Sequence, residues 1–355
     1  MNPRIKINLK KLTENAAEIV KLCAPAGVKV SAVTKGFCAK PQAADALLKG
    51  GITSLADSRI ENLRKFQPLK TEKMLLRIPM ISQAEEVVWF SDISLNSQWE
   101  TIQALNEAAG RRGVRHGIIL MTDLGDLREG IFDRHEFLQL VKKASRVNHV
   151  DLKGIGTNLT CFGAIIPDEK NLGQLIDLAD EAAELVGKPL EFVSGGNSSS
   201  IYLLQEGRLP KGINHLRIGE SILLGTESAY GARLPHMHYD CFQLVAEVVE
   251  VETKPSMPIG TIGKDAFGQI PYFEDRGIRK RAIAAVGKQD FATHSIKPVE
   301  QGVEILGASS DHLILDITDA RKDHKVGDEL TFSLSYGAML ALNTSAYVST
   351  QYVTG

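Results

Sequence analysis

Eight short apolar runs follow one another through the first 225 residues, at 28–34, 52–56, 74–78, 92–95, 117–122, 152–157, 190–194 and 213–218. Between them lie stretches such as 41–49, 82–89, 98–109 and 171–185, whose apolar residues recur at three- and four-residue spacing, the repeat of one helix face. This alternation predicts parallel strands joined by crossover helices. Eight such units in somewhat under about 250 residues predict a (β/α)8 barrel. An open doubly wound sheet competes, but it normally has fewer strands and a G-x-G-x-x-G turn after the first, which this chain lacks.

After Tyr230 the texture changes. Residues 231–239 read as a linker, and β-type runs follow at 241–251, 281–287, 303–306, 313–317 and 329–334, separated by turn-rich pieces such as 254–260 and 325–328. Long helical patterns are missing there. The expected organisation is an α/β barrel over 1–232 and an all-β domain over 233–355, as suits a chain of 355 residues, too long for one core. A formal net charge of −2 gives no reason to expect nucleic acid or an anionic membrane as partner. Cys23, Cys38, Cys161 and Cys241 form no C-x-x-C pair, so a cytoplasmic protein without a disulfide framework or zinc site is expected. Residues 1–10 are short and polar, without the apolar region of a signal peptide, and no stretch approaches the ~20 apolar residues of a membrane span.

Barrel chemistry collects at the carboxyl ends of strands. The first run leads straight into Lys35, where partial desolvation would favour the neutral amine needed for imine formation. Position alone favours a surface lysine. The seventh run ends in Ser194-Gly195-Gly196-Asn197-Ser198-Ser199-Ser200 before a helix at Ile201, with glycines for close backbone approach, side-chain donors and free N–H groups. That is a phosphate cradle where barrels often bind phosphate; a capped flexible loop is the plainer alternative. The eighth gives His215-Leu216-Arg217-Ile218-Gly219-Glu220, and Arg217 by itself reads as a salt-bridge partner. The fifth and sixth end in the polar exits 123–130 and 157–161. No His/Asp/Glu set has metal-ligand spacing, His236-Met237-His238 reads as solvated linker, and a G-x-S-x-G elbow is absent.

Taken together, these residues resemble the alanine-racemase-like (fold-type III) enzymes that use pyridoxal 5′-phosphate (PLP). Ala32-Val33-Thr34-Lys35 resembles their PLP-lysine segment, and Asp123-Leu124-Gly125 with Arg128 and Gly130 their D-T-G-x-x-R-x-G segment. Asn197-Ser198 resembles their N-S turn, Leu216-Arg217-Ile218-Gly219 their L-R-x-G segment, and Ser309-Ser310-Asp311 falls where they carry C-M-D. The resemblance implies a PLP-dependent amino-acid racemase, with ornithine as expected substrate. Alanine, a broader range of basic amino acids, or a non-catalytic PLP-binding role are the alternatives. It implies that Lys35 holds PLP as a Schiff base and acts as one acid/base group. Asn197, Ser198, the backbone at Gly219 and Glu220, and Tyr336 would hold the phosphate. Arg217 would face the pyridine nitrogen, disfavour its protonation and weaken the ring as an electron sink. Asn158 stands where the family has a ring-packing histidine, and Ala39 where it has a phosphate-binding tyrosine. Arg128 would orient lysine or substrate, and Ser310 and Asp311 would lie near the substrate carboxylate. A second base is expected from a neighbouring copy, hence a homodimer, with Asp265 nearest by spacing and Tyr272 as second candidate. Asp265, Asp275 or Glu227 would meet the substrate's distal ammonium.

Overall fold

A computed structural model describes residues 2–355, which divide into two compact units, 9–239 and 2–8 with 240–355. In the first, eight parallel strands close into a barrel: β2 (Lys29–Val33), β3 (Ser54–Asp57), β4 (Glu72–Leu75), β5 (Ile93–Asn96), β6 (His116–Met121), β7 (Val150–Gly156), β8 (Phe192–Ser194) and β9 (His215–Ile218). The helices of this unit are α1 (Leu9–Cys23), α2 (Pro41–Lys49), α3 (Ile60–Arg64), α4 (Ala84–Phe90), α5 (Trp99–Arg112), α6 (Arg134–Ala144), α7 (Glu169–Val186), α8 (Ile201–Gln205) and α9 (Glu220–Leu224). Each of the eight apolar runs thus supplies one barrel strand. The strands are buried on both faces, which is why they read as runs rather than as alternation. Val33, Ala56, Met74, Ile93, Leu95, Ile119, Met121 and Phe192 make one continuous apolar cluster. Among the described residues no helix is long and apolar enough to cross a membrane.

In the second unit the sheet runs β12 (Ile296–Pro298), β15 (Glu329–Leu334), β10 (Phe242–Pro255), β11 (Ile278–Ala284), β14 (Leu313–Asp316), β13 (Glu304–Ala308). β1 (Arg4–Asn8) pairs antiparallel with β10 and parallel with β16 (Ser349–Val353). β10 is 14 residues long: its first half pairs with β1 and β15, its second with β11, and the register shifts between Val248 and Glu250. Such a bulge lets one strand serve two differently directed ladders.

Several local expectations change. The polar N-terminus contributes β1, with Ile5 and Ile7 buried in strict alternation. Lys254 and Pro255, expected in a turn, still belong to β10. The C-terminal unit also contains a helix, α10 (Tyr336–Thr344), capped by the Ser335 hydroxyl, which accepts from Ala338 N. Residues 231–239 are tied down rather than free: Leu234 and Met237 are buried, and His238 exchanges backbone hydrogen bonds with the Asn15 side chain at 2.7 and 2.8 Å.

Candidate active site

Lys35 follows β2 directly and opens a short 3-10 turn, Lys35–Phe37, after which Cys38 and Ala39 both take positive φ. The turn is anchored from β3. Thr34 N donates to Ala56 O at 2.8 Å, and Thr34 Oγ1 donates to Asp57 Oδ2 at 2.6 Å. The Asp57 carboxylate is fully buried and also accepts from Arg59 N at 2.9 Å and Asn62 Nδ2 at 3.1 Å. Burial pushes its pKa up, while those three donors and the positive charge of Lys35 pull it down. Sequence reading passed over Asp57, although a carboxylate on the last residue of a barrel strand is itself a signal.

The exits of β7, β8 and β9 converge. Asn197 folds back on its own turn, with Oδ1 accepting from Ser199 N at 2.9 Å, while its Nδ2 donates to Asn158 Oδ1 and Leu159 O, both at 3.0 Å. Ser198 Oγ accepts from Gly219 N at 3.3 Å and Ser221 N at 3.1 Å, which joins the turn to the start of α9. Gly196 sits at φ +109°, a conformation that a side chain at this bend would strain. The helix after the turn, α8, has only five residues, so its dipole adds little and the donors are local N–H and O–H groups. Glu220 is half-buried, and burial raises its pKa.

Arg217 is buried, and among the described residues the salt bridge expected of it is absent. Its guanidinium donates to three neutral oxygens: Ser194 Oγ, Thr157 O at 2.7 Å and Asn158 Oδ1 at 3.5 Å. Burial lowers its pKa to about 10, and the field of Glu129 holds it up. Arg128 is exposed and gives its charge to Glu129, with Nη2 to Oε1 at 2.7 Å.

Around this floor four buried polar atoms have no partner within the described residues: Thr157 Oγ1, Asn158 Nδ2, Ser199 Oγ and Ser221 Oγ. A buried polar group left unpaired costs about 1–3 kcal/mol. Four of them at the exits of β7, β8 and β9 mark a place shaped for a polar ligand. The donor-rich Ser/Asn set fits a phosphate, and a buried guanidinium fits a heteroaromatic acceptor nitrogen.

The remaining expected residues, Glu227 apart, lie in the second unit, where the structure joins two of the segments. Asp265 Oδ1 accepts from Phe267 N at 2.9 Å and Gln269 N at 2.8 Å, and Oδ2 lies 3.7 Å from Lys288 Nζ. Lys288 N in turn donates to Ser309 O at 2.8 Å, and Gln289 N to Ser310 O at 3.0 Å, so the 265–269 turn and the 309–311 turn are neighbours. The Asp265 pKa is lowered chiefly by its backbone hydrogen bonds, and that of Asp311 chiefly by the Ser310 hydroxyl, which donates at 3.1 Å. Tyr272 is 91% exposed. Tyr336 opens α10. Asp275 and Glu227 are taken up locally: Asp275 accepts from Gly277 N at 2.9 Å, and Glu227 accepts from Ala229 N, Tyr230 N and Ala232 N.

A parallel barrel with a strand-end lysine, a Ser/Asn turn and a buried arginine, on a chain with a second β unit, defines a barrel scaffold shaped for a phosphate-bearing ligand. The N-terminal domain model of alanine racemase matches residues 7–227, and the chain belongs to the alanine racemase family. It is an amino-acid racemase. It is 50% identical to ornithine racemase of Acetoanaerobium sticklandii, over 98% of this chain and 99% of that one. With lysine racemase of Thermotoga maritima the identity is 40%, over 99% and 98%. Among solved structures, alanine racemase from Clostridium difficile 630 superposes with a TM-score of 0.76 at 18% identity, covering 100% of this chain and 96% of that one. Alanine racemase from Bartonella henselae, solved with covalently bound pyridoxal phosphate, gives 0.74 at 18%, covering 99% and 100%. These two likenesses establish the fold.

Proposed function

We propose that the chain interconverts L- and D-ornithine, with PLP as cofactor and with two copies completing each site. Identity of 50% with an ornithine racemase along 98% of the chain supports ornithine. The four partnerless polar atoms at the barrel exits support a phosphate-bearing ring compound. When bound, PLP supplies an electron-accepting ring that acidifies the Cα proton of an attached amino acid.

The chain's own residues do the rest. Asn197, Ser198, Ser199, Ser221 and the backbone at Gly219 and Glu220 would hold the phosphate, with Tyr336 as a further donor. Asn158 and Thr157 would border the ring. Arg217, charged at neutral pH even with its pKa near 10, would keep the neighbouring ring nitrogen unprotonated. Lys35 would hold the cofactor covalently and move the proton at one face of Cα. The opposite face requires a second group, from the β unit of another copy, with Asp265 and Tyr272 as candidates. Asp265 and Asp311 are both held ionised, which suits an ammonium better than a carboxylate. Asp265 thus fits a clamp on the distal ammonium, Ser310 fits the substrate carboxylate, and Tyr272 then becomes the better base. Arg128, paired with Glu129, would orient groups at the rim. With its four cysteines present as thiols, the chain suits a reducing cytoplasm.

The test is racemisation of each enantiomer of ornithine, lysine and alanine, followed by optical rotation or chiral chromatography. Ornithine is expected to have the highest kcat/KM, about tenfold or more above lysine, since one methylene is worth roughly 1–3 kcal/mol. Comparable rates for lysine would replace this reading with a broad basic amino-acid racemase, which the 40% identity with lysine racemase favours. No change with any substrate would overturn both.

A further inference from the structure

Five buried side chains form one hydrogen-bond chain through the barrel interior. Arg217 Nη1 donates to Ser194 Oγ, which lies 2.8 Å from His215 Nδ1. His215 Nε2 lies 2.8 Å from Ser31 Oγ, and Ser31 Oγ lies 2.9 Å from Ser54 Oγ. Strand register builds this line: Ser31 is opposite both Arg217 and Ser54, and Ser194 is opposite His215. His215 and Arg217, two apart on β9, share a face.

An arginine can only donate, so the direction of the chain is set at one end. Ser194 Oγ receives the guanidinium proton, and His215 Nδ1 is the one acceptor within reach for its own hydroxyl proton among the described residues. Nδ1 is then unprotonated, and a neutral ring must carry its hydrogen on Nε2 and donate to Ser31. Ser31 passes the direction to Ser54, 2.9 Å away. Burial keeps the imidazole neutral, lowering its pKa to about 3.

We propose that His215 is a positioning residue: as the neutral Nε2–H tautomer it orders Ser194 and, through it, the guanidinium of Arg217. A buried guanidinium bonded to neutral oxygens alone has no carboxylate to fix its plane. The ordered hydroxyl supplies that constraint.

The tautomer half stands without any catalytic role, and the kinetic half rests on the racemase reading. In 15N-histidine-labelled protein, the signal lost in His215→Phe is expected to show Nε2–H with a bare Nδ1 and no titration between about pH 5 and 8. An Nδ1–H tautomer, or titration in that range, would overturn the proposal whether or not the protein racemises anything. In the PLP-loaded enzyme, Ser194→Ala and His215→Phe are each expected to lower kcat about tenfold with KM within about twofold and to shift the visible band of the bound cofactor. The double variant should fall no further than the worse single one, because both break the same link. Effects that multiply would make His215 a packing residue against the Phe192 edge, and would overturn the proposal while leaving the racemase reading intact.

Discussion

Lys35 and Asp57 stand on adjacent strand ends, tied by the 2.6 Å bond from Thr34 Oγ1 to Asp57 Oδ2, so the direction in which the lysine leaves β2 is set from β3. Lys35→Ala is expected to take up PLP without the visible absorption of the covalent complex and to lose racemisation by on the order of 10³-fold or more. Retention of both would move the anchor elsewhere. Ser198→Ala removes the acceptor for Gly219 N and Ser221 N, and PLP affinity should fall about tenfold, read by spectrophotometric titration. An unchanged affinity would place the phosphate away from this turn. The candidate positions were legible residue by residue, because each of Lys35, Asn197, Ser198 and Arg217 ends or follows a recognisable run. The environment of Arg217 was not. Its lack of a carboxylate follows from which side chains β7 and β8 bring beside β9, and no local spacing encodes that.

At the scale of elements, buried imidazoles make the barrel acid-sensitive. His116 on β6 is fully buried with Nε2 2.8 Å from Ser94 Oγ, and burial lowers its pKa from 6.5 to about 4. The unfolded chain takes up a proton near pH 6.5 that the folded one refuses. The stabilisation is therefore complete above pH 6.5 and is lost as the pH falls toward about 4. The melting temperature should drop over that window, and His116→Asn should flatten the drop while lowering stability at pH 7. An unaltered slope would mean that another group controls it. Between β7 and β8 the close approach is at Gly154, where a Cβ would lie 2.1 Å from Phe192 O. Gly154→Ala should cost on the order of 3 kcal/mol in denaturant unfolding. A loss under about 1 kcal/mol would show that the two strands separate easily. Burial on both faces made the barrel strands legible as apolar runs. β12 and β16, three and five residues long, left no such mark, because short strands pairing on the outer rows of a sheet carry little periodic signal.

At the scale of the molecule, the proposed reaction takes Lys35 from one barrel, and inverting Cα calls for a group on each face. Lys35→Ala and Asp265→Asn, each inactive as a homodimer, should recover about a quarter of wild-type activity when unfolded and refolded together, since half the dimers are mixed and each has one intact site. If Asp265→Asn stays active, Tyr272→Phe takes its place in the mixture. No recovery with either would sink the shared site. The sequence by itself determined the barrel and its order of strands, since burial on both faces demands continuous apolar runs and the helices between them demand a 3.6-residue repeat. It also determined the family, through side chains that sit at strand exits. Only the tertiary structure decided that residues 4–8 are a strand of the second unit, paired with β10 and β16 more than 230 residues away. Only it decided that Asp57 stands beside Lys35, and that Arg217 is held by Ser194, Thr157 and Asn158. Pairing partners are chosen by burial and register across the closed sheet, and those are properties of neighbours in space that spacing along the chain does not carry.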